Sequence, residues 1–272
     1  MTAKYDTFQS DYDDNRRADP GITATLIDLL APIPDGLYLD LACGTGNYTT
    51  AVSKAVSRSV PNLGVKLYGV DQSEKMLATA RPKSTDVQWF QEDVEALPFE
   101  DHFFDGILCT LAIHHFSSLN KAFGEAYRVL KPGPFVLLTA WPEQMRHYWL
   151  NHYFPTALQK SVEQMPAPDL VKDALSQAGF SITKEENFFV TNDLQDLFLY
   201  SGKHRPHIYL DPNVRAGITT FWSIPARADR AEIDHGFASL KNDIEPGKID
   251  EVIGSYDDTS GDYVYLKAEK HS

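Results

Sequence analysis

Two cysteines, Cys43 and Cys109, are all that the 272 residues contain. That scarcity excludes a disulfide framework and a cysteine-built zinc site. Each lies in an apolar, strand-like stretch, so both read as reduced, structural thiols. No apolar run approaches the roughly 20 residues of a membrane span, and Met1-Thr2-Ala3-Lys4-Tyr5-Asp6 opens no signal-peptide stretch. The expectation is a cytoplasmic chain with no membrane span. Lysine and arginine number 25 against 38 acidic residues, for a formal charge of −13, and form no local run. Such a surface repels phosphate polymers, so nucleic acid is not an expected partner. There is no internal repeat and no low-complexity tract.

What is present is ordinary globular composition, 43% hydrophobic and 23% charged. The length suits one large α/β domain with an appended subdomain. The first half alternates strand-like stretches (Tyr38–Leu41, Lys66–Val70, Gln88–Glu92, Gly106–Thr110, Phe135–Ala140) with helical ones (Tyr48–Arg58, Ser73–Ala80, Leu119–Leu130). This is the pattern of a doubly wound, mostly parallel sheet with helices on both faces. Lys131-Pro132-Gly133-Pro134 stops the last of these helices.

After Trp141-Pro142 the rhythm changes. Glu143–Met165 and Asp169–Ala178 read as helical, Phe180–Val190 as a strand, Asn192–Ser260 as a long aromatic-bearing interruption, and Asp262–Ala268 as a closing strand. The expected organisation is a single domain over 1–272 with a cofactor-binding core in 1–142. Residues 143–178 and 191–260 are candidate substrate covers, and 179–190 and 261–272 carry late core strands.

The sharpest local signal is Asp40-Leu41-Ala42-Cys43-Gly44-Thr45-Gly46. A buried strand meets a glycine turn directly before a helix, which lets a ligand approach the backbone and unpaired N–H groups. A dinucleotide fold would want a third glycine to complete G-x-G-x-x-G, but Asn47-Tyr48-Thr49 follows Gly46. Asp40 stands where it would oppose a pyrophosphate and suit a cation. The next strand ends in Asp71, placed to accept hydrogen bonds from a ribose diol, and the third leads to Asp93, placed to meet an adenine amino group.

In their order and spacing, Leu39–Gly46, Gly69-Val70-Asp71-Gln72-Ser73-Glu74-Lys75-Met76-Leu77, Asp93–Phe99 and Arg128-Val129-Leu130-Lys131-Pro132-Gly133 span about half the chain. Together they resemble the class I S-adenosylmethionine-dependent methyltransferases, in particular the small-molecule branch with ubiquinone-biosynthesis and trans-aconitate methyltransferases. The resemblance implies a seven-stranded Rossmann-like sheet, S-adenosylmethionine as cofactor and S-adenosylhomocysteine as product. It implies that Asp40 and the backbone of Gly44–Gly46 hold the methionyl part and that Asp71 holds the ribose. Met76 would pack on the adenine, with Asp93 and the Val94 N–H reading its edge. Ala42, Gln72 and Leu111 would complete the cofactor wall. Tyr12-Asp13-Asp14-Asn15-Arg16 resembles the family's leading segment, which implies that Tyr12 and Arg16 approach the cofactor's carboxylate end.

Methyl transfer from a sulfonium is an in-line displacement, so the protein has chiefly to orient the acceptor and exclude water. Where the acceptor must lose a proton, Ala112-Ile113-His114-His115-Phe116 lies after the fourth strand, at the ligand-binding edge of such sheets. His114 and His115 are therefore candidates for a base or substrate contact, against the alternative that this turn is scaffold. No third ligand accompanies them, so no metal is expected. Aromatic residues of the later chain, among them Trp141, Tyr148, Trp149, Tyr153, Phe154, Tyr200 and Trp222, suit a flat or apolar small-molecule acceptor. Two other functions fit a similar sheet: a nicotinamide-dependent oxidoreductase and a non-catalytic S-adenosylmethionine-binding protein.

Overall fold

The computed structural model describes residues 15–59, 63–222, 227–256 and 259–272, and the first element lying wholly within them is a helix, α1 (Pro20–Leu30). Asp19 starts it by accepting from the N–H groups of Gly21 and Ile22, and Pro20 fills a first-turn position that needs no N–H. There follow β1 (Leu37–Leu41), α2 (Asn47–Ser59), β2 (Lys66–Asp71), α3 (Glu74–Ala80), β3 (Val87–Gln91), β4 (Gly106–Thr110), α4 (Leu119–Val129) and β5 (Gly133–Thr139). Each strand and helix expected in this half is present.

The later chain contributes α5 (Pro142–Arg146), α6 (Pro155–Gln164), α7 (Pro168–Ala178), β6 (Ser181–Phe188), α8 (Pro212–Ala216), α9 (Thr219–Trp222), α10 (Arg227–Ile244), α11 (Ile249–Gly254) and β7 (Tyr263–Lys270). The seven strands form one sheet in the order β3-β2-β1-β4-β5-β7-β6, with β7 antiparallel to both of its neighbours. The mostly parallel, doubly wound sheet expected from the sequence is the observed one.

Because side chains alternate across a strand, successive residues feed two cores. Leu39, Leu41, Val70, Ile107, Cys109 and Leu137 face a layer that includes Phe123 and Ala126 of α4 and Val171 and Leu175 of α7. Tyr38, Leu67, Leu108, Val136 and Leu138 face α1, α2 and the later helices. At the edge, β6 is exposed along nearly its whole length, and its Lys184, Glu185 and Glu186 guard against further strand pairing.

Two expectations need correcting. Glu143–Met165 is not one helical stretch: α5 ends at Arg146, a short 3-10 turn follows at Trp149–His152, and α6 restarts at Pro155. The Asn151 carboxamide takes up the carbonyls of Met145 and Tyr148, and Pro155 occupies a first-turn position. Secondly, α7 falls within the segment expected as a cover, yet it packs on α4 as part of the sheet's flanking layer. The long interruption is itself largely helical, from the turn Leu199–Gly202 to α11.

Candidate functional site

The carboxyl ends of β1, β2, β4 and β5, together with the later helices, enclose a cavity of about 540 Å³. Its floor is shaped by backbone turns. Gly44 and Gly46 both take left-handed conformations, at φ +55° and +71°. Over Gly44 a Cβ would meet none of the described residues within 4 Å, so among them the loop is open there. Ala42 and Leu111 are also left-handed, at φ 59° and 54°, immediately after β1 and β4. A non-glycine residue held there costs of order 1–3 kcal/mol. Both line the cavity, so the strain is stored where the two strands open onto it.

Gly44 donates its N–H to Asp71 Oδ2 at 2.9 Å, and Ser73 N–H donates to Oδ1 at 2.9 Å. Burial raises the Asp71 carboxyl above its ordinary range, and these two bonds offset part of the rise. Ser73 also caps α3, which presents Met76 to the cavity. Gln72, Asp93, Val94, Arg16, His114 and His115 line the same wall. Asp93 is exposed at the rim, where its Oδ1 accepts from the Glu95 N–H at 2.9 Å.

Two candidate residues stand behind the wall instead of in it. Gly46 is needed for packing: a Cβ there would lie 2.3 Å from Trp89 Cη2. Asp40 is 1% exposed; its Oδ2 accepts from Thr49 Oγ1 at 2.5 Å, while Oδ1 has no hydrogen-bond partner among the described residues. Burial pushes its carboxyl up to about 7, with the Thr49 bond opposing and Asp71 adding to the rise. A buried acid in this state favours a positively charged ligand nearby, because a cation would stabilise its ionised form. The open loop over Gly44 and the orphaned Asp40 oxygen thus fit a small cationic cofactor. Burial also pushes the Cys43 and Cys109 thiols well up, so neither is an activated nucleophile.

Arg16 reaches the cavity from ahead of α1, and Nε donates to Asp196 Oδ1 at 2.6 Å. Tyr12, the other candidate of that segment, lies outside the described residues. His114 and His115 sit half-buried on a 3-10 turn, Ile113–His115, with ring centroids 3.8 Å apart and planes at 51°. Among the described residues no cluster of His, Cys, Asp and Glu has metal-site form, and no helix is long and apolar enough to cross a membrane.

Several wall residues carry no motif. Met145, Ser161, Gln164, Met165, Phe198, Ile218, Thr220 and Tyr263 come from the later helices, the 192–198 segment and β7. Aromatic enrichment was the one signal pointing to that region, and it picked out Tyr200, which does line the cavity. Trp149 and Phe154, from the same set, are buried in the core beside it.

Residues 39–138 match a family model described as a methyltransferase domain. The demethylmenaquinone methyltransferase of Thermus thermophilus is 30% identical over 183 residues, covering 58% of this chain and 80% of that protein. The ubiquinone/menaquinone biosynthesis C-methyltransferase UbiE of Rickettsia felis is 30% identical over 176 residues, covering 55% and 70%. A solved structure from Anabaena variabilis, assigned to a methyltransferase of an antibiotic biosynthesis pathway, superposes with a TM-score of 0.81 at 28% identity. It covers 95% of this chain and 100% of that one.

Proposed function

The chain belongs to the class I S-adenosylmethionine-dependent methyltransferases, and from that premise we propose that it methylates a flat, oxygen-bearing ring compound of quinol type. The observation that carries this reading is one cavity lined by two unlike sets of residues. One set is the glycine loop with Gly44, Asp71 and Met76; the other includes Phe198, Tyr200, Tyr263, Met145 and Ile218. The aromatic and thioether surfaces of the second set suit a planar apolar ring. Relatives that act on demethylmenaquinone agree in substrate chemistry.

When bound, S-adenosylmethionine supplies an electrophilic methyl group on a sulfonium. In this reading Asp71 accepts from the ribose hydroxyls, Met76 packs on the adenine, and Asp93 with the Val94 N–H reads its edge. The loop around Ala42 and Gly44 holds the methionyl part, with Asp40 supplying negative potential from behind. Gln72 and Leu111 shape the wall, and Arg16 meets the carboxylate end. His114 and His115 flank the acceptor, and one of them holds or removes the proton of its hydroxyl. The later helices exclude water. A nicotinamide cofactor fits less well, since its pyrophosphate would meet Asp40 and Asp71.

A labelled-methyl assay tests this, with reduced naphthoquinones as probes and fractionated cell metabolites in parallel, and product masses read by mass spectrometry. Methyl incorporation into a ring compound is expected. Binding of NADH without binding of S-adenosylmethionine would overturn the reading.

A further inference from the structure

Helices α6 and α9 are joined in the cavity wall by two hydroxyls. Ser161 Oγ of α6 and Thr220 Oγ1 of α9, 59 positions apart in sequence, lie 2.9 Å from each other, and both residues line the cavity. Ser161 Oγ also lies 3.2 Å from the carbonyl of Ala157, one turn earlier on its own helix. Thr220 is 6% exposed, and Met145, Met165 and Ile218 contribute apolar surface to the same cavity. An uncharged hydroxyl pair is thus set into a wall otherwise suited to an apolar ring.

The direction of the two bonds follows from counting protons. A hydroxyl has one proton and two lone pairs, and a carbonyl only accepts. The Ala157 carbonyl therefore takes the Ser161 proton, and the bond between the hydroxyls then has to use the Thr220 proton. Both bonds form together in this arrangement alone. With both protons spent, the pair offers lone pairs and no donor, so a ligand group seated against it must bring its own proton. A hydroxyl does so, whereas a ring carbonyl sets oxygen against oxygen. For Thr220 to donate outward, it would have to leave Ser161, or Ser161 would have to leave Ala157, and either change loses one hydrogen bond.

We propose that Thr220, oriented by Ser161, is a specificity-determining residue for the acceptor: it accepts a hydrogen bond from a ring hydroxyl and so selects the reduced, hydroxyl-bearing ring over the oxidised, carbonyl-bearing one. This rests on the quinol reading of the acceptor and names the residue that enforces it. A site built to pair with a substrate hydroxyl rejects the analogue that lacks it, because buried polar groups are then left facing no partner. The choice matters to the chemistry, since the reduced ring is electron-rich and gives an electron pair to a sulfonium methyl, whereas the oxidised ring is electron-poor.

The test is calorimetry under exclusion of oxygen on the full chain saturated with S-adenosylhomocysteine, with naphthohydroquinone and naphthoquinone as probes of nearly equal shape. Wild type should prefer the hydroquinone. T220V keeps the side-chain shape without the hydroxyl, and should weaken the hydroquinone about tenfold while the quinone stays within about twofold. T220S keeps the acceptor oxygen and should stay near wild type. S161A frees the Thr220 proton to point at the ligand, so the quinone should tighten about threefold or more while the hydroquinone changes little. Equal weakening of both probes or unchanged hydroquinone affinity in folded T220V, or no gain for the quinone in S161A, overturns the proposal. Should T220V not fold, the S161A arm decides by itself. Wild type that binds S-adenosylhomocysteine but neither probe would instead sink the quinol reading.

Discussion

Gly44 and Asp71 are joined by a 2.9 Å hydrogen bond from the glycine N–H to the aspartate Oδ2, across 27 residues of sequence. The bond ties the loop after β1 to the end of β2, so one carboxylate shapes the loop that it is also placed to serve. Asp71→Ala should weaken S-adenosylmethionine binding by about 1–3 kcal/mol, the usual loss when buried hydrogen bonds go unmade. Asp71→Asn keeps one acceptor oxygen and should fall between wild type and alanine. Calorimetry decides it, and unchanged affinity in a folded Asp71→Ala variant would remove Asp71 from the cofactor site.

The two loop glycines should fail in different ways. Gly46→Ala places a Cβ 2.3 Å from the Trp89 ring at a left-handed φ of +71°. Overpacking plus backbone strain should cost about 3 kcal/mol or more of stability. Gly44→Ala meets no described residue within 4 Å at φ +55°, so it should lose only about 1 kcal/mol of stability but crowd the ligand. Denaturant unfolding and cofactor titration on both variants check the contrast. Equal unfolding midpoints would contradict the packing role given to Gly46.

Legibility in the sequence followed the range of the interactions. Gly44, Asp71 and Met76 stand in runs where local chemistry demands their types: a left-handed turn, a carboxylate at a strand end, an apolar face on a capped helix. Helix α1 was not among the expected elements, although Ile22, Leu26, Leu29 and Leu30 stand at helical spacing. It lies ahead of the strand-helix alternation that organises the rest. Asp196 and Tyr263 could not be found that way, because each reaches the cavity through tertiary packing and stands in no motif. The broken helix after Trp141 was hidden for a related reason. Its apolar residues keep helical spacing, and what breaks it is the Asn151 side chain taking the carbonyls of Met145 and Tyr148.

The histidine turn gives a sharp alternative. If His114 or His115 takes a proton from the acceptor, its replacement by glutamine should lower turnover about 100-fold or more, within the range for a lost general base. Cofactor affinity should change little, since neither ring is needed to hold the adenosyl group. Single-turnover methyl transfer together with S-adenosylhomocysteine binding separates these effects. Full activity in both variants would make the turn scaffold.

Asp40 should give the enzyme a pH signature. Its folded-state carboxyl sits at about 7, against about 3.9 in an unfolded chain. Between those values the folded protein holds a proton that the unfolded chain has released. The contribution to stability is therefore full below about pH 4 and declines as pH rises through 7. Asp40→Asn lacks this slope, so wild type should lose stability relative to the variant across that window and stay level above it. Cofactor binding should run the titration the other way. A sulfonium and an ammonium near Asp40 favour its ionised form, so binding near pH 6 should release a proton, and binding above about pH 8 should release none. Calorimetry in buffers of different ionisation enthalpy measures that proton directly. Binding heats at pH 6 that do not depend on the buffer would show that Asp40 does not sense the bound charge.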